Sequence, residues 1–188
     1  MKQTFLTLFL MAFTQSFSQI NPLSEKILND ILTTRAGQYG TIEILAKPAP
    51  QLIEKHLVKL IQTKDRIFNS TEENKTETIQ LTEKERDFIL TSIRQQYKKE
   101  WKKDDFKNYP LSDNINKQGY LVREDRNRTL ILLSRPILIR NNKIAVVYFG
   151  QFIHQLEFAH TDISFYRIEN GIWKKHICIS SATGKRKN

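Results

Sequence analysis

The residues best suited to chemistry are histidines in the last third of the chain. His154 and His160 flank Glu157, and His176 follows in a later apolar segment. Two imidazoles beside one carboxylate can act as general acid and base. A metalloprotease helix needs histidines four residues apart, and this spacing is absent, so no metal is expected. The alternative function that these four residues support is a hydrolase acting on an anionic substrate.

A second candidate set is a run of cations in the middle of the chain. The whole sequence has 30 Lys and Arg against 20 Asp and Glu, a net charge of +10, and its isoelectric point is near 9.7. Such a surface attracts anions. We therefore expect a binding protein with a basic surface for an acidic protein or an anionic polymer. Its electrostatic residues would be Arg94, Lys98, Lys99, Lys102 and Lys103.

Composition excludes several other classes of protein. At 188 residues the chain fits one domain, and 39% hydrophobic with 27% charged residues excludes disordered and collagen-like proteins. One cysteine, Cys178, excludes an internal disulfide framework and is predicted to be buried. No phosphate-binding glycine loop, nucleophile elbow or calcium loop occurs, so no cofactor is expected. A small-ligand protein stays open, and it would need an enclosed apolar cavity beneath the helices.

The first residues resemble an export signal. Lys2 precedes an uncharged apolar run from Thr4 to Phe13, and small residues follow at Ser16 and Ser18. This order is typical of a secretory signal peptide. It predicts cleavage after residue 18 and a periplasmic or secreted protein, for which no DNA partner is expected. No later apolar run reaches the roughly 18 residues of a membrane span.

Three helices are predicted before the sheet. Ser24 caps a first helix with an apolar stripe from Ile27 to Leu32. A second helix spans 52–61 and has His56 on its apolar face, where a bond to a carbonyl group is expected. Thr82 and Glu85 form a capping box. The third helix is predicted over 83–103, with an apolar side running from Phe88 to Trp101 and the basic residues elsewhere.

Alternating patterns predict strands at 41–46 and throughout the C-terminal third. Segments 129–134 and 137–140 form one strand interrupted at Arg135 and Pro136, because proline lacks the amide proton that pairing needs. Segment 143–154 is apolar on both faces and is predicted to be central. A loop over 154–161 separates it from strand 162–169, and the turn at Asn170 and Gly171 leads into strand 172–180.

Counting back from that turn predicts the pairing of the last hairpin. Ile168 should face Trp173, Tyr166 should face Lys175, and Phe165 should face His176. Residues 181–188 are expected to form a flexible basic tail.

These elements predict an α+β fold in one domain over residues 19–180. N-terminal helices would pack on a C-terminal four- to five-stranded antiparallel meander. The segment from Leu133 to Ile137, the long strand and the Gly171-Ile172-Trp173-Lys174 hairpin resemble the C-terminal sheets of small exported bacterial proteins of unknown function. The order of elements is also similar to the nuclear-transport-factor-2-like superfamily. That resemblance implies three helices packed into a curved sheet around a pocket.

Overall fold

A computed structural model describes residues 21–35, 41–61, 67–69, 77–113, 128–153 and 158–185. Its three helices and mostly antiparallel seven-stranded sheet confirm the α+β fold class. The predicted export signal, His154 and Glu157 lie outside the described residues. Within the described residues, every helix is too short or too polar to cross a membrane.

The helices are α1 (Pro22–Arg35), α2 (Pro50–Ile61) and α3 (Glu83–Gln95). The capping box of α3 is confirmed, because Glu85 N donates to Thr82 Oγ1 at 3.2 Å and Thr82 N donates to Glu85 Oε2 at 2.9 Å. The predicted cap of α1 is wrong. Asn21, not Ser24, accepts the Leu23 amide at 2.9 Å, because Pro22 suits the first helical position and starts the helix earlier.

The main sheet is larger than the predicted meander. Its strands are β1 (Thr41–Leu45), β4 (Leu111–Ser112), β5 (Arg128–Leu133), β6 (Ile137–Ile139), β7 (Ile144–Ile153), β8 (Phe158–Glu169) and β9 (Ile172–Lys185). The order is β4-β1-β5-β7-β8-β9, and β6 pairs with β7. β1 lies parallel to both β4 and β5. A separate hairpin joins β2 (Ile67–Asn69) and β3 (Thr78–Gln80).

Helices cover both faces of this sheet. Val146, Tyr148 and Phe152 of β7 pack with α2 and α3, whereas Val147 and Phe149 pack with α1. The prediction that β7 is central and covered on both sides is therefore confirmed. Covering both faces is the reason for its continuous apolar sequence.

The turn between β8 and β9 forms where the sequence predicts it, and the pairing of these two strands matches the prediction only close to the turn. Asn170 and Gly171 have positive φ of 52° and 80°, as a tight hairpin turn requires. Ile168 faces Trp173 and Tyr166 faces Lys175, as predicted.

Phe165, however, faces Ile177 rather than His176. A bulge makes His176 an extra residue in β9, and a second irregularity follows between Ile163 and Ser164. Because a bulge adds one residue to one strand, residue pairs beyond it cannot be predicted by counting from the turn.

Two strands extend further than predicted, and one side chain is less buried than predicted. β9 continues to Lys185, so most of the predicted tail pairs with the first residues of β8. β8 correspondingly starts at Phe158, inside the predicted loop. Cys178 is half-buried rather than buried. Both extensions result from the long pairing of β8 with β9. The same pairing places Cys178 opposite Ser164, beside the bulges.

The predicted helix over 83–103 ends early. α3 stops at Gln95, single 3₁₀ turns occupy 96–98 and 103–105, and Trp101 reaches the core from an irregular segment. Trp101 N donates to Ala46 O at 2.8 Å, which draws the chain away from the helix axis. Phe88, predicted on the apolar side, is instead 52% exposed.

Candidate functional site

The structure places His160 and His176 on opposite faces of the sheet. Side chains alternate along a strand, so His160 of β8 shares the α1 face with Asp162, and its Nε2 lies 2.9 Å from Asp162 Oδ2. His176 lies under the other face, where its Nε2 is 3.1 Å from Glu77 Oε2. These two imidazoles do not converge on one substrate. Among the described residues, no group of three or more metal-ligating side chains occurs.

A buried ion pair that the sequence analysis missed joins α1 to the sheet. Arg35, the last residue of α1, donates Nη1 to Asp162 Oδ1 at 3.2 Å and Nη2 to Oδ2. Nη1 also donates to the Tyr166 hydroxyl, and the guanidinium lies 4.0 Å from the centre of the Phe149 ring. The Asp162 side chain is fully buried and the Arg35 side chain is 13% exposed.

Three more polar side chains surround the same carboxylate. Ser164 Oγ donates to Asp162 Oδ1 at 2.7 Å, and Lys175 Nζ lies 3.3 Å from Oδ2. His160 is the third of these side chains, and its other ring nitrogen, Nδ1, lies 3.4 Å from Thr183 Oγ1. We call this set the Asp162 cluster: Arg35, His160, Asp162, Ser164, Tyr166 and Lys175.

The electrostatics of the Asp162 cluster favour a structural role. Burial alone would raise the pKa of Asp162, but hydrogen bonds from His160 and Arg35 and the charges of Arg35 and Lys175 hold it well below its usual range. Arg35 and Lys175 already compensate this buried carboxylate. The contacts of Asp162 therefore fasten α1 to β8 and β9.

His56 has a comparable structural role on the other face. It is 1% exposed, and its ring nitrogens lie 2.9 Å from Ser180 Oγ and 2.9 Å from Thr161 Oγ1. The predicted contact with a carbonyl group is thus replaced by two hydroxyl contacts. Burial, with the nearby charge of Lys55, lowers the pKa of His56 to about 4. The ring is neutral near pH 7 and joins α2 to the last two strands.

Four of the five predicted basic residues, all lysines, lie on the segment after α3, and that segment is firmly attached; Arg94 belongs to α3 itself. Gln96 exchanges two hydrogen bonds with the backbone of Arg135, at 2.7 and 3.1 Å. Trp101 Nε1 donates to Leu133 O at 3.3 Å, and the Arg135 guanidinium stacks 4.2 Å from the Trp101 ring centre. We call residues 98–107 the lysine segment.

Four of the five lysines of this segment are free to meet a partner; the fifth, Lys107, contacts Glu25 at 3.5 Å. The side chains of Lys98, Lys99, Lys102 and Lys103 are exposed, and among the described residues none forms an ion pair. Arg94 differs, although the sequence grouped it with them. Its guanidinium contacts Glu54 at 3.1 and 3.3 Å, so its charge is already compensated within the fold.

A concave surface continues from these lysines. Its volume is about 760 Å³, and it is lined by residues 103–104 and 106–111, including Lys103, Lys107 and Tyr109. The space beneath the helices beside Trp101 is far smaller, about 10 Å³, which is room for about one water molecule. The open concavity, not this enclosed space, can accept an organic group.

Comparison with known proteins yields no match to this chain among protein-family models, curated proteins or solved structures.

Proposed function

We propose that this protein is an exported binding protein that holds an acidic partner against the lysine segment. The observation that carries the proposal is the exposure of Lys98, Lys99, Lys102 and Lys103, whose ammonium groups form no ion pair among the described residues. Clustered cations of this kind attract anions and speed their encounter. Export is inferred from the signal-like residues 1–18.

The attachment of the segment supports binding rather than simple solubility. Trp101 is 6% exposed and fastens the centre of the segment through Ala46 and Leu133. The backbone that carries the lysines is therefore held before a partner arrives. A surface that is already ordered loses less conformational freedom on binding, which favours affinity.

The alternative functions have weaker support. A hydrolase built on His160 and His176 would need both imidazoles near one substrate, whereas they lie under opposite faces of the sheet. A small-ligand protein would need an enclosed cavity beneath the helices, and the space beside Trp101 there is about 10 Å³. A cationic docking surface agrees best with the described residues.

The experiment compares two variants that change the net charge equally. One replaces Lys98, Lys99, Lys102 and Lys103 with glutamine; the control replaces four exposed lysines elsewhere, Lys55, Lys59, Lys84 and Lys143. Binding of labelled polyglutamate is followed by fluorescence anisotropy over a salt series. We expect the first variant to bind about tenfold more weakly at low salt, with a shallower salt dependence.

The control variant should retain most of the affinity for polyglutamate. Equal weakening in both variants would mean that net charge alone attracts the polymer and would overturn the proposal. Circular dichroism of both proteins checks that the substitutions, all at exposed positions, leave the fold unchanged.

A further inference from the structure

A groove beside the lysine segment combines apolar and cationic walls. It has a volume of about 310 Å³ and lies between α3 and β6. We propose that it docks an extended acidic segment of a partner protein that carries one apolar side chain. This inference rests on the proposed function and names the class of partner.

The apolar wall comes from Phe88 together with Pro136 and Leu138. Phe88 is 52% exposed, although it belongs to a helix whose neighbours Ile89 and Leu90 are buried. A large aromatic side chain left open beside a concave surface is typical of a contact that a partner completes. Covering the Phe88 ring would remove its remaining apolar area from water.

The second wall can offer backbone hydrogen bonds. β6 pairs with β7 on one side, and no strand in the described part of the chain pairs with its other side. An open strand edge presents N–H and C=O groups that an extended peptide can satisfy. A polypeptide can use these groups as an added strand, which a polysaccharide cannot do.

The two ends of the groove differ in charge. α3 and β6 run in opposite directions, because Glu85 contacts Arg140 at 2.8 Å at one end and Gln96 contacts Arg135 at the other. The first end is a compensated ion pair. The second end leads to Lys99, which lines the groove, and to the other lysines.

The dimensions predict the spacing within the partner. Phe88 and Gln95 belong to the same face of α3, about 10 Å apart along a helix that rises 1.5 Å per residue, and Lys99 lies beyond Gln95. An extended chain advances about 3.3 Å per residue. The apolar side chain and the acidic side chains of the partner should thus be about three to five residues apart.

A second copy of this chain fits the groove less well than an acidic partner. The net charge of +10 makes two such molecules repel each other at low salt. The free lysines beside the groove strengthen this repulsion and favour a segment of opposite charge.

The test uses the full chain and three labelled ten-residue peptides. The first has one leucine followed after four positions by a run of glutamates, the second has serine for the leucine, and the third has glutamines for the glutamates. The protein variants are Phe88→Ser and, as control, Val58→Ser, which alters another exposed apolar side chain, 45% exposed, on α2.

We expect the native protein to bind the first peptide about tenfold more tightly than the second and to bind the third only weakly. Phe88→Ser should remove the preference for leucine and leave polyglutamate binding unchanged, whereas Val58→Ser should change neither.

Three results would overturn the inference. The first is equal affinity for the leucine and serine peptides while polyglutamate binding still depends on the four lysines, which would leave the proposed function standing. The second is Phe88-dependent binding of a sulfated polysaccharide in place of the peptide. The third is a change of molecular mass in solution on Phe88→Ser, which would make the groove a contact between copies. A fourth result would overturn the proposed function together with the inference that rests on it: polyglutamate binding that does not change when the four lysines are replaced.

Discussion

Replacing Asp162 with asparagine should destabilise the protein more than any surface substitution, because its carboxylate compensates the charge of Arg35 in a buried site. The Asp162 side chain is fully buried and that of Arg35 is 13% exposed, so the guanidinium cannot regain full hydration without moving. Lys175, with a side chain 28% exposed, can turn toward water. The penalty therefore comes mainly from Arg35.

The size of the effect follows from this arrangement. Breaking a buried ion pair by removing one partner costs about 3–5 kcal/mol, and the partial exposure of Arg35 favours the lower end. With a urea dependence of about 2 kcal/mol per molar, the unfolding midpoint should fall by about 1.5 M. The Arg35→Met/Asp162→Asn double variant should lose less stability than the sum of the two single variants, with a coupling above about 1 kcal/mol.

Urea unfolding followed by tryptophan fluorescence and circular dichroism measures these changes. Asp113→Asn is the matched control, because the Asp113 side chain is 76% exposed and contacts Lys47 at 3.5 Å; it should change stability by less than about 0.5 kcal/mol.

Acid adds a second readout for Asp162. The pKa of Asp162 is lowered in the folded state, so its contribution to stability is complete above the unfolded pKa of about 3.9 and is lost as pH falls below it.

In urea unfolding, a loss under about 1 kcal/mol on Asp162→Asn would refute the buried ion pair, since that is the size expected of an exposed one.

Two further substitutions test other contacts. His56 has a pKa of about 4 in the fold against about 6.5 when unfolded, so the unfolded chain takes up the proton first and native stability should fall by about 3 kcal/mol between pH 7 and pH 4. His56→Gln should flatten this part of the urea-midpoint profile, and an unchanged profile would show that His56 is not the titrating group. Thr82→Ala removes the hydroxyl that accepts the Glu85 amide at 3.2 Å and should cost about 1 kcal/mol in urea unfolding. Thr34→Ala near the end of α1 is the comparison, because this exposed hydroxyl contacts backbone carbonyl groups of its own helix. An equal loss of stability there would argue against a specific cap at Thr82.

Local patterns in the sequence predicted many elements of the fold. The capping box at Thr82, the turn at Asn170 and Gly171, and the two apolar faces of β7 each depend on residues close together in the chain. Short-range hydrogen bonds and side-chain alternation determine such features. They are for this reason visible before any tertiary contact is known.

Features that depend on distant residues were missed. The end of α3 is decided by Arg135, which bonds Gln96, and by Ala46, which accepts the Trp101 amide. The bulge at His176 and the parallel position of β1 between β4 and β5 are equally non-local. Periodicity carries no information about such partners.

The candidate site could likewise be predicted only in part from the sequence. The sequence identified the lysines of residues 98–103, because charge is a property of composition. It also grouped Arg94 with them, and only the fold shows that Glu54 compensates that side chain. Asp162 could have been noticed as a carboxylate within an apolar strand, yet nothing nearby in the sequence indicates Arg35 as its partner.

The sequence by itself thus determined the α+β class, the central strand, the hairpin turn and the excess of positive charge. Only the tertiary structure decided which charges are buried in pairs and which stay exposed, and it alone formed the groove between Phe88 and β6. The physical reason is that secondary structure and net charge depend on local or additive properties. Compensation of a charge and exposure of a ring depend instead on residues brought together from distant parts of the chain, such as Arg35 and Asp162.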